Sequence, residues 1–411
     1  MELTEVEKLN LQQTELGKIP EDWIASTFGE TFTGFSSGMT PYRGIPEYYT
    51  GNIPWITSGE LNYNIITDTW EKITEDAVAK TNLKVHPVGT FLMAITGLEA
   101  AGTRGSCAIT GIRATTNQSC MALFPIKGKT ITEYLYHFYV YYGNELAFKY
   151  CQGTKQQSYT GRIAKRLPIN LPPSINEQKA ITQVLSDTDA LIQALEKKIA
   201  KKKLIKKGVM QRLLTPKEGW DYVRLGDLST MNSGGTPLTT NEKYYGGNIV
   251  WISISDISEA GKYISNSSKR ISEDGLTNSS ARLFKSGTVL LAMYASIGKC
   301  CIATTEVTTS QAILGINPSN QLINEFLYYY LIFKVEDLIS QGQQGTQSNL
   351  NKGIVGDYKI HLPQREEQKE IAQILSDMDK EINNLEQKLF KYQLAKQGMM
   401  QQLLTGKIRL V

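Results

Sequence analysis

The 411-residue sequence has no apolar run long enough to cross a bilayer. Its opening segment, MELTEVEKLN, is acidic and polar and lacks the hydrophobic core of a signal peptide. A cytoplasmic location with no membrane contact is the expectation. Cysteine is scarce. Cys107, Cys120, Cys151, Cys300 and Cys301 form no CxxC pair and are odd in number. Reduced core thiols fit this pattern better than a disulfide framework or a zinc site. The three histidines, His86, His137 and His361, lie far apart in sequence, so structural roles are expected for them too.

Catalytic motifs are also missing. A methyltransferase needs a glycine-rich turn for its cofactor and an Asn-Pro-Pro-aromatic motif for the target amine. The nearest match, Asn170-Leu171-Pro172-Pro173-Ser174, has an inserted leucine and no aromatic. It reads as a strand-to-helix boundary. Gly128-Lys129-Thr130 suggests a P-loop, but Leu123 stands where that motif's first glycine belongs. No nucleophile elbow, HExxH or metal-spaced cluster occurs. These absences argue against a single-chain DNA enzyme. They leave no catalytic, metal or cofactor residue to nominate.

What is present is ordinary in bulk and organised in detail. Hydrophobic residues make up 41% and charged residues 20%, enough apolar material for two domains. The net charge of +4 says little about partners, because nucleic-acid binding depends on a local positive face. The strongest feature is an internal repeat spaced by about 190 residues, longer than any solenoid period. Tyr48-Tyr49-Thr50-Gly51-Asn52-Ile53-Pro54-Trp55-Ile56 recurs as Tyr244-Tyr245-Gly246-Gly247-Asn248-Ile249-Val250-Trp251-Ile252. Thr40-Pro41 recurs as Thr236-Pro237, Gly89-Thr90 as Gly287-Thr288, Gly153-Thr154 as Gly345-Thr346, and Trp23 as Trp220.

The repeat ends in a helical element. Glu177-Gln178-Lys179 matches Glu367-Gln368-Lys369, Leu185-Ser186-Asp187 matches Leu375-Ser376-Asp377, and Leu213-Leu214-Thr215 matches Leu403-Leu404-Thr405. In the second copy Ile371, Leu375, Met378, Ile382, Leu385, Leu389, Tyr392, Lys396, Met399 and Leu403 step by four and three, which is a coiled-coil seam. The first copy places Ile181, Leu185, Thr188, Ile192, Leu195, Ile199, Lys202, Lys206, Val209 and Leu213 on the same seam. Two lysines and a threonine weaken it, and Leu204-Ile205 offers a competing register. Ser174 and Glu177 suggest a capping box, and Pro216 and Gly406 mark the ends. Each helix reaches about 40 residues, or roughly 60 Å.

Charge predicts how the helices pair. Residues 196–212 carry eight cations against Glu196, net +7, and residues 365–381 carry six acids against three bases, net −3. An antiparallel pair sets these stretches side by side. The fold class expected is mixed α/β (α+β): two tandem globular copies, separated by a long antiparallel two-helix coiled coil, with a pseudo-twofold internal repeat. The boundaries expected are an arm at 1–22, a globular copy at 23–172, a helix at 173–216, a second copy at 217–363, a second helix at 364–406 and a tail at 407–411. Strands are expected at 53–56, 90–95, 108–109, 250–254, 289–293 and 301–303, and helices at 132–148 and 324–340.

A Gly-x-Thr-Pro turn followed by Tyr-Tyr-x-Gly-Asn-Ile-x-Trp-Ile resembles the start of a target-recognition domain in the specificity subunits of type I restriction-modification enzymes. Gly-Thr, a polar loop, Leu-Pro, Glu-Gln-Lys and a heptad helix resemble that domain's end and its spacer. The set occurs twice, in order, over nearly the whole chain. The resemblance implies a non-catalytic reader of double-stranded DNA in which each domain takes one half of an asymmetric gapped site. It further implies that the helix pair sets the gap and docks two methyltransferase subunits. Restriction subunits then join, and S-adenosylmethionine, ATP and magnesium belong to those partners.

Base and phosphate contacts favour Arg, Lys, Asn and Gln on loops. The candidates in the first copy are Arg43, Arg104, Lys155, Gln156, Gln157, Ser158 and Arg162. In the second copy they are Lys243, Arg282, Lys299, Gln343, Gln344, Gln347, Ser348 and Asn349. The two Gly-Thr loops, as repeat mates, should occupy equivalent places. The lysine run at 197–207 suits helix pairing or a methyltransferase dock better than DNA phosphates.

Overall fold

The computed structural model describes residues 10–100, 102–151, 157–341 and 349–410, with the backbone alone at 343–344 and 347–348. The chain divides into two compact units, Met1–Glu196 with Lys388–Val411, and Lys197–Gln387. In the first unit, five strands lie in the order Phe32–Ser37, Cys120–Pro125, Phe91–Ala94, Cys107–Thr110 and Asn64–Ile66. All neighbours are antiparallel except the last pair, which is parallel. In the second unit the order is Ser229–Ser233, Ile313–Pro318, Val289–Ala292, Cys300–Ala303 and Tyr263–Ile264, again with only the last pair parallel. Each unit adds a three-stranded sheet centred on Ile53–Ile56 or Tyr245–Ile252.

Strands Phe91–Ala94, Val289–Ala292 and Cys300–Ala303 are buried along their whole length, and the second unit shows why. Val289, Leu291, Cys300, Ile302, Leu314 and Ile316 face a core shared with the aromatic helix Asn324–Phe333. Leu290, Cys301, Ala303 and Ile313 face a second core with Ile252, Ile257 and Phe284. Successive side chains point to opposite faces, so this sheet is a partition between two apolar layers. That is why the strands read as continuous hydrophobic runs rather than as alternation. Helix Thr132–Tyr150 fulfils the expectation at 132–148. The segment expected to be helical at 324–340 is broken at Lys334 into Asn324–Phe333 and Val335–Gln341. The strand expected over 250–254 ends at Ile252, because Ser253 opens a short helix whose Asp256 side chain caps its own first turn.

The repeated turn motif is consumed in holding these sheets together. Trp55 Nε1 donates to Met39 O at 3.1 Å, and Trp251 Nε1 to Gly235 O at 3.0 Å. Tyr49 Oη donates to Pro41 O at 2.6 Å, and Tyr245 Oη to Pro237 O at 2.7 Å. A Cβ on Gly38 would fall 1.7 Å from Thr116 O, and one on Gly234 2.3 Å from Thr309 O. Glycine is needed there for close backbone approach.

Two long helices, Ile175–Leu214 and Arg365–Leu403, carry the seam. Leu185, Ile192, Leu195, Ile199, Leu375 and Ile382 are buried, and Met378, Leu385, Leu389 and Tyr392 are half-buried. In the second unit Lys202 pairs with Glu381, Lys203 with Glu386 and Lys217 with Glu367, each at 2.7 Å, and Lys206 pairs with Asp379. In the first unit Lys396 pairs with Asp189 at 2.5 Å. Within each unit the later part of one helix therefore lies against the earlier part of the other, which is the antiparallel arrangement. Leu204 and Ile205 are exposed, so the competing register is not used and Lys202 and Lys206 occupy the seam. The capping box is only half formed. Ser174 Oγ accepts from Glu177 N, but the Glu177 carboxylate is buried against the Arg409 guanidinium, which also reaches Asp22. That tie fixes the C-terminal tail to the first unit.

Candidate nucleic-acid interface

In each unit the described residues that follow the Gly-Thr pair, 157–159 and Leu350, meet the connection between two central strands. In the first unit, Leu98 N donates to Gln157 O at 3.1 Å, and Gln157 N to a Glu99 carboxylate oxygen at 2.9 Å. Thr96 and Ser158 form a β-bridge, and Tyr159 N donates to Ile95 O at 2.9 Å. In the second unit Leu350 N donates to Met293 O at 3.0 Å, beside the connection 293–299. Each loop then leads into a short capped helix. Thr160 caps Gly161–Arg166 and Asn351 caps Lys352–Asp357. The first of these presents exposed Arg162, Lys165 and Arg166, and the second exposed Lys352. In the first unit this short basic helix supplies phosphate-directed charge beside a polar segment, whereas the second helix carries Lys352 and Asp357 and has no net charge.

The nominated side chains divide into three groups. Arg43 and Arg104 are committed within the protein. Arg43 is bidentate to Glu71 at 2.5 and 2.7 Å and lies 4.2 Å over the Tyr49 ring. The same ion pair holds the Glu71 carboxyl below its ordinary range and raises the guanidinium. Arg104 donates through Nε to Leu98 O at 2.8 Å and through Nη2 to Glu99 O at 2.9 Å, clamping the 95–105 connection. Gln157 is likewise engaged, since its Oε1 accepts from the Cys151 thiol. A second group stands free to meet a ligand. Arg162, Lys243, Arg282, Lys299 and Asn349 are exposed and Ser158 is half-exposed. Arg282 lines a pocket of about 390 Å³ with Thr230, Asn232, Lys285 and Asn317, and Lys299 lies 3.5 Å from Ser258 O. In the third group, Gly153-Thr154, Lys155, Gln156 and Gly345-Thr346 lie outside the described residues. Gln343, Gln344, Gln347 and Ser348 are described only as a short antiparallel backbone pair.

Sequence reasoning missed the strand connections as a site. Segments 95–100, 102–105 and 293–299 turn through left-handed residues, Gly97, Gly105, Ser296 and Gly298. Tyr294 stands exposed on the last of these. The available signal was a glycine two residues ahead of a buried strand in both copies, Gly105 before Cys107 and Gly298 before Cys300. Of the lysine run, Lys202, Lys203 and Lys206 are bound to acids of the other long helix, as expected of a pairing surface. Among the described residues no three His, Cys, Asp or Glu side chains converge as a metal site, and no helix is long and apolar enough to cross a membrane.

Comparison with known proteins accounts for the duplication. The family model for the type I restriction modification DNA specificity domain matches residues 20–204 and again 217–391. The type I restriction enzyme MjaVIII specificity subunit of Methanocaldococcus jannaschii is 27% identical over 425 residues, covering 95% of this chain and 94% of that one. The MjaIX specificity subunit of the same organism is 35% identical over 176 residues, 41% of this chain and 40% of the other. The crystal structure of the type I restriction-modification S subunit from M. genitalium shares the fold. Its TM-score is 0.61, with 15% identity and 98% coverage of both chains.

Proposed function

The chain belongs to the type I restriction-modification DNA specificity family, the recognition and not the catalytic subunits of these systems, and from that premise we propose that each unit binds one half of an asymmetric, gapped duplex site. The observation that carries this reading is the duplicated loop arrangement. On like sheet scaffolds the residues after the paired Gly-Thr differ, KQQSYTGR in one unit and QSNLNKGI in the other. Different loop side chains on the same framework read different base edges. The clamped Arg43 and Arg104 shape the framework, and the free Arg162, Lys299 and Asn349 are the groups left for DNA.

The helix pair sets the gap. Helices of 40 and 39 residues are about 60 Å long, which limits half-site centres to roughly 17 base pairs apart at about 3.4 Å per base pair. The same pair docks two methyltransferase subunits. Leu204 and its repeat mate Leu394 are 71% and 52% exposed on the outer faces of the long helices, where water is a poor neighbour for leucine. Restriction subunits complete the assembly. S-adenosylmethionine, ATP and magnesium are supplied by those partners, and no residue here is assigned to them.

A base-resolution methylome tests this reading. Cells carrying this gene with its neighbouring methyltransferase gene should acquire a gapped, asymmetric methylated motif that cells with the methyltransferase alone lack. No new motif from soluble, partner-bound protein would sink the assignment and leave a scaffold.

A further inference from the structure

Each unit contains a charged cluster in a place where a coiled coil normally puts a hydrophobic residue. In the second unit Lys206 of the first long helix meets Asp379 of the second, and the two side chains are only 20% and 25% exposed. In the first unit Lys396 of the second long helix meets Asp189 of the first, at 18% and 23%. Positions 189 and 206 are seventeen residues apart on one helix, and 379 and 396 seventeen apart on the other. In the second unit the globular part bonds the pair directly, and in the first it bonds the long helix one turn before Asp189. Tyr329, the sixth residue of helix Asn324–Phe333, donates to Asp379 at 2.7 Å and lies 3.3 Å from Ser376 Oγ. The Lys206 ammonium sits 5.4 Å from its ring centre. His137, the sixth residue of helix Thr132–Tyr150, places Nε2 3.0 Å from Ser186 Oγ, and Ser186 is the repeat mate of Ser376. Lys262 adds a bond to Ser376 Oγ at 2.5 Å in the second unit.

A solvated surface pair contributes little and tolerates sliding. These pairs are mostly desolvated, so each charge depends on its partner, and the gain from such an arrangement is geometric uniqueness more than stability. Apolar contact is non-directional, whereas a charge-assisted hydrogen bond has a fixed length and direction. We propose that the Lys206–Asp379–Tyr329 cluster and the Lys396–Asp189 pair, with the His137–Ser186 contact one helical turn from it, are positioning devices that hold each recognition domain at a fixed angle on the helix pair and set how strictly the gap in the DNA site is read. This rests on the gapped-site reading above. One added base pair rotates a half-site by about 34° and moves it by about 3.4 Å. A rigidly held domain cannot follow that displacement.

The test uses the complex with its methyltransferase subunits. Fluorescent duplexes carry the methylome motif with its natural gap and with the gap one base pair longer or shorter. Lys206→Met with Lys396→Met keeps the aliphatic stems and removes the charges. This double variant should bind the natural duplex within about threefold of wild type but lose about tenfold of its discrimination against altered gaps, where tenfold corresponds to about 1.4 kcal/mol. Lys206→Arg with Lys396→Arg should keep the discrimination. If the methionine variant does not assemble, Asp379→Asn with Asp189→Asn is expected to show the same loss. A folded variant of either kind that discriminates as wild type does overturns the proposal. Wild-type protein indifferent to gap length would overturn the gapped-site reading itself, a result visible before any substitution is made.

Discussion

The His137 imidazole is 1% exposed, and burial first, then the Lys396 charge, draws its pKa down to about 3. In the unfolded chain it returns to about 6.5. The unfolded state therefore binds the proton more tightly. Its contribution to stability is complete above pH 6.5 and is lost as pH falls toward 3, with a slope of at most about 1.4 kcal/mol per pH unit. His137→Gln should accordingly flatten the acid limb of stability. Denaturant midpoints at pH 7 and pH 5 check this, and an unchanged difference between the two pH values would refute it. The thiols behave in the opposite way. Burial pushes Cys301 up to about 12 and raises Cys107, Cys120 and Cys300 as well, so they stay protonated. All five cysteines are free, as their odd number and spacing suggested. The roles of Lys206 and Lys396 were not legible. A lysine on a heptad position reads as a weak seam, because its partner lies about 170 to 210 residues away and only the fold brings it near.

Along the long helices, periodicity separates inward from outward positions sharply enough to predict mutant behaviour. Leu375 is fully buried in the core of the second unit, and Leu204 is largely exposed. Leu375→Ala should cost about 2–5 kcal/mol, whereas Leu204→Ala should fall within about 0.5 kcal/mol of wild type. Urea unfolding of the purified subunit measures both. Under the docking assignment Leu204→Lys should nonetheless weaken capture of the methyltransferase subunits, and undiminished capture would remove Leu204 from that surface. The seam, the helix ends and the antiparallel direction were legible because heptad spacing, Pro216, Gly406 and opposed charge act locally or over whole segments. The break at Lys334 was not, since the apolar content of 324–340 continues through it. The sheet order was also hidden, because strands buried on both faces carry no alternation to orient them. Under the proposed reading the Gly-Thr segments could be nominated by composition alone, whereas the strand connections beside them are shaped by backbone conformation, which a side-chain inventory does not register.

Among the described residues the five-stranded and three-stranded sheets repeat in order, but the two units are unequal in continuity. The second unit is one stretch, Lys197–Gln387. The first needs Lys388–Val411 as well, whose Met400, Leu403, Leu404 and Leu410 are buried in a core with Trp23, Phe28 and Ile181. A stop codon after residue 387 should therefore loosen the first unit and spare the second. Hydrogen exchange would show lost protection in Phe91–Ala94 and retained protection in Val289–Ala292. Equal protection in both would mean that the tail is dispensable. The same division orders events on the ribosome. The second unit, though later in sequence, is synthesised in full before any of residues 388–411 is added. The first unit must wait with its apolar wall uncovered while its neighbour closes, so the half made first is the half finished last. The nascent chain is thus exposed to chaperones and proteases chiefly through its older half.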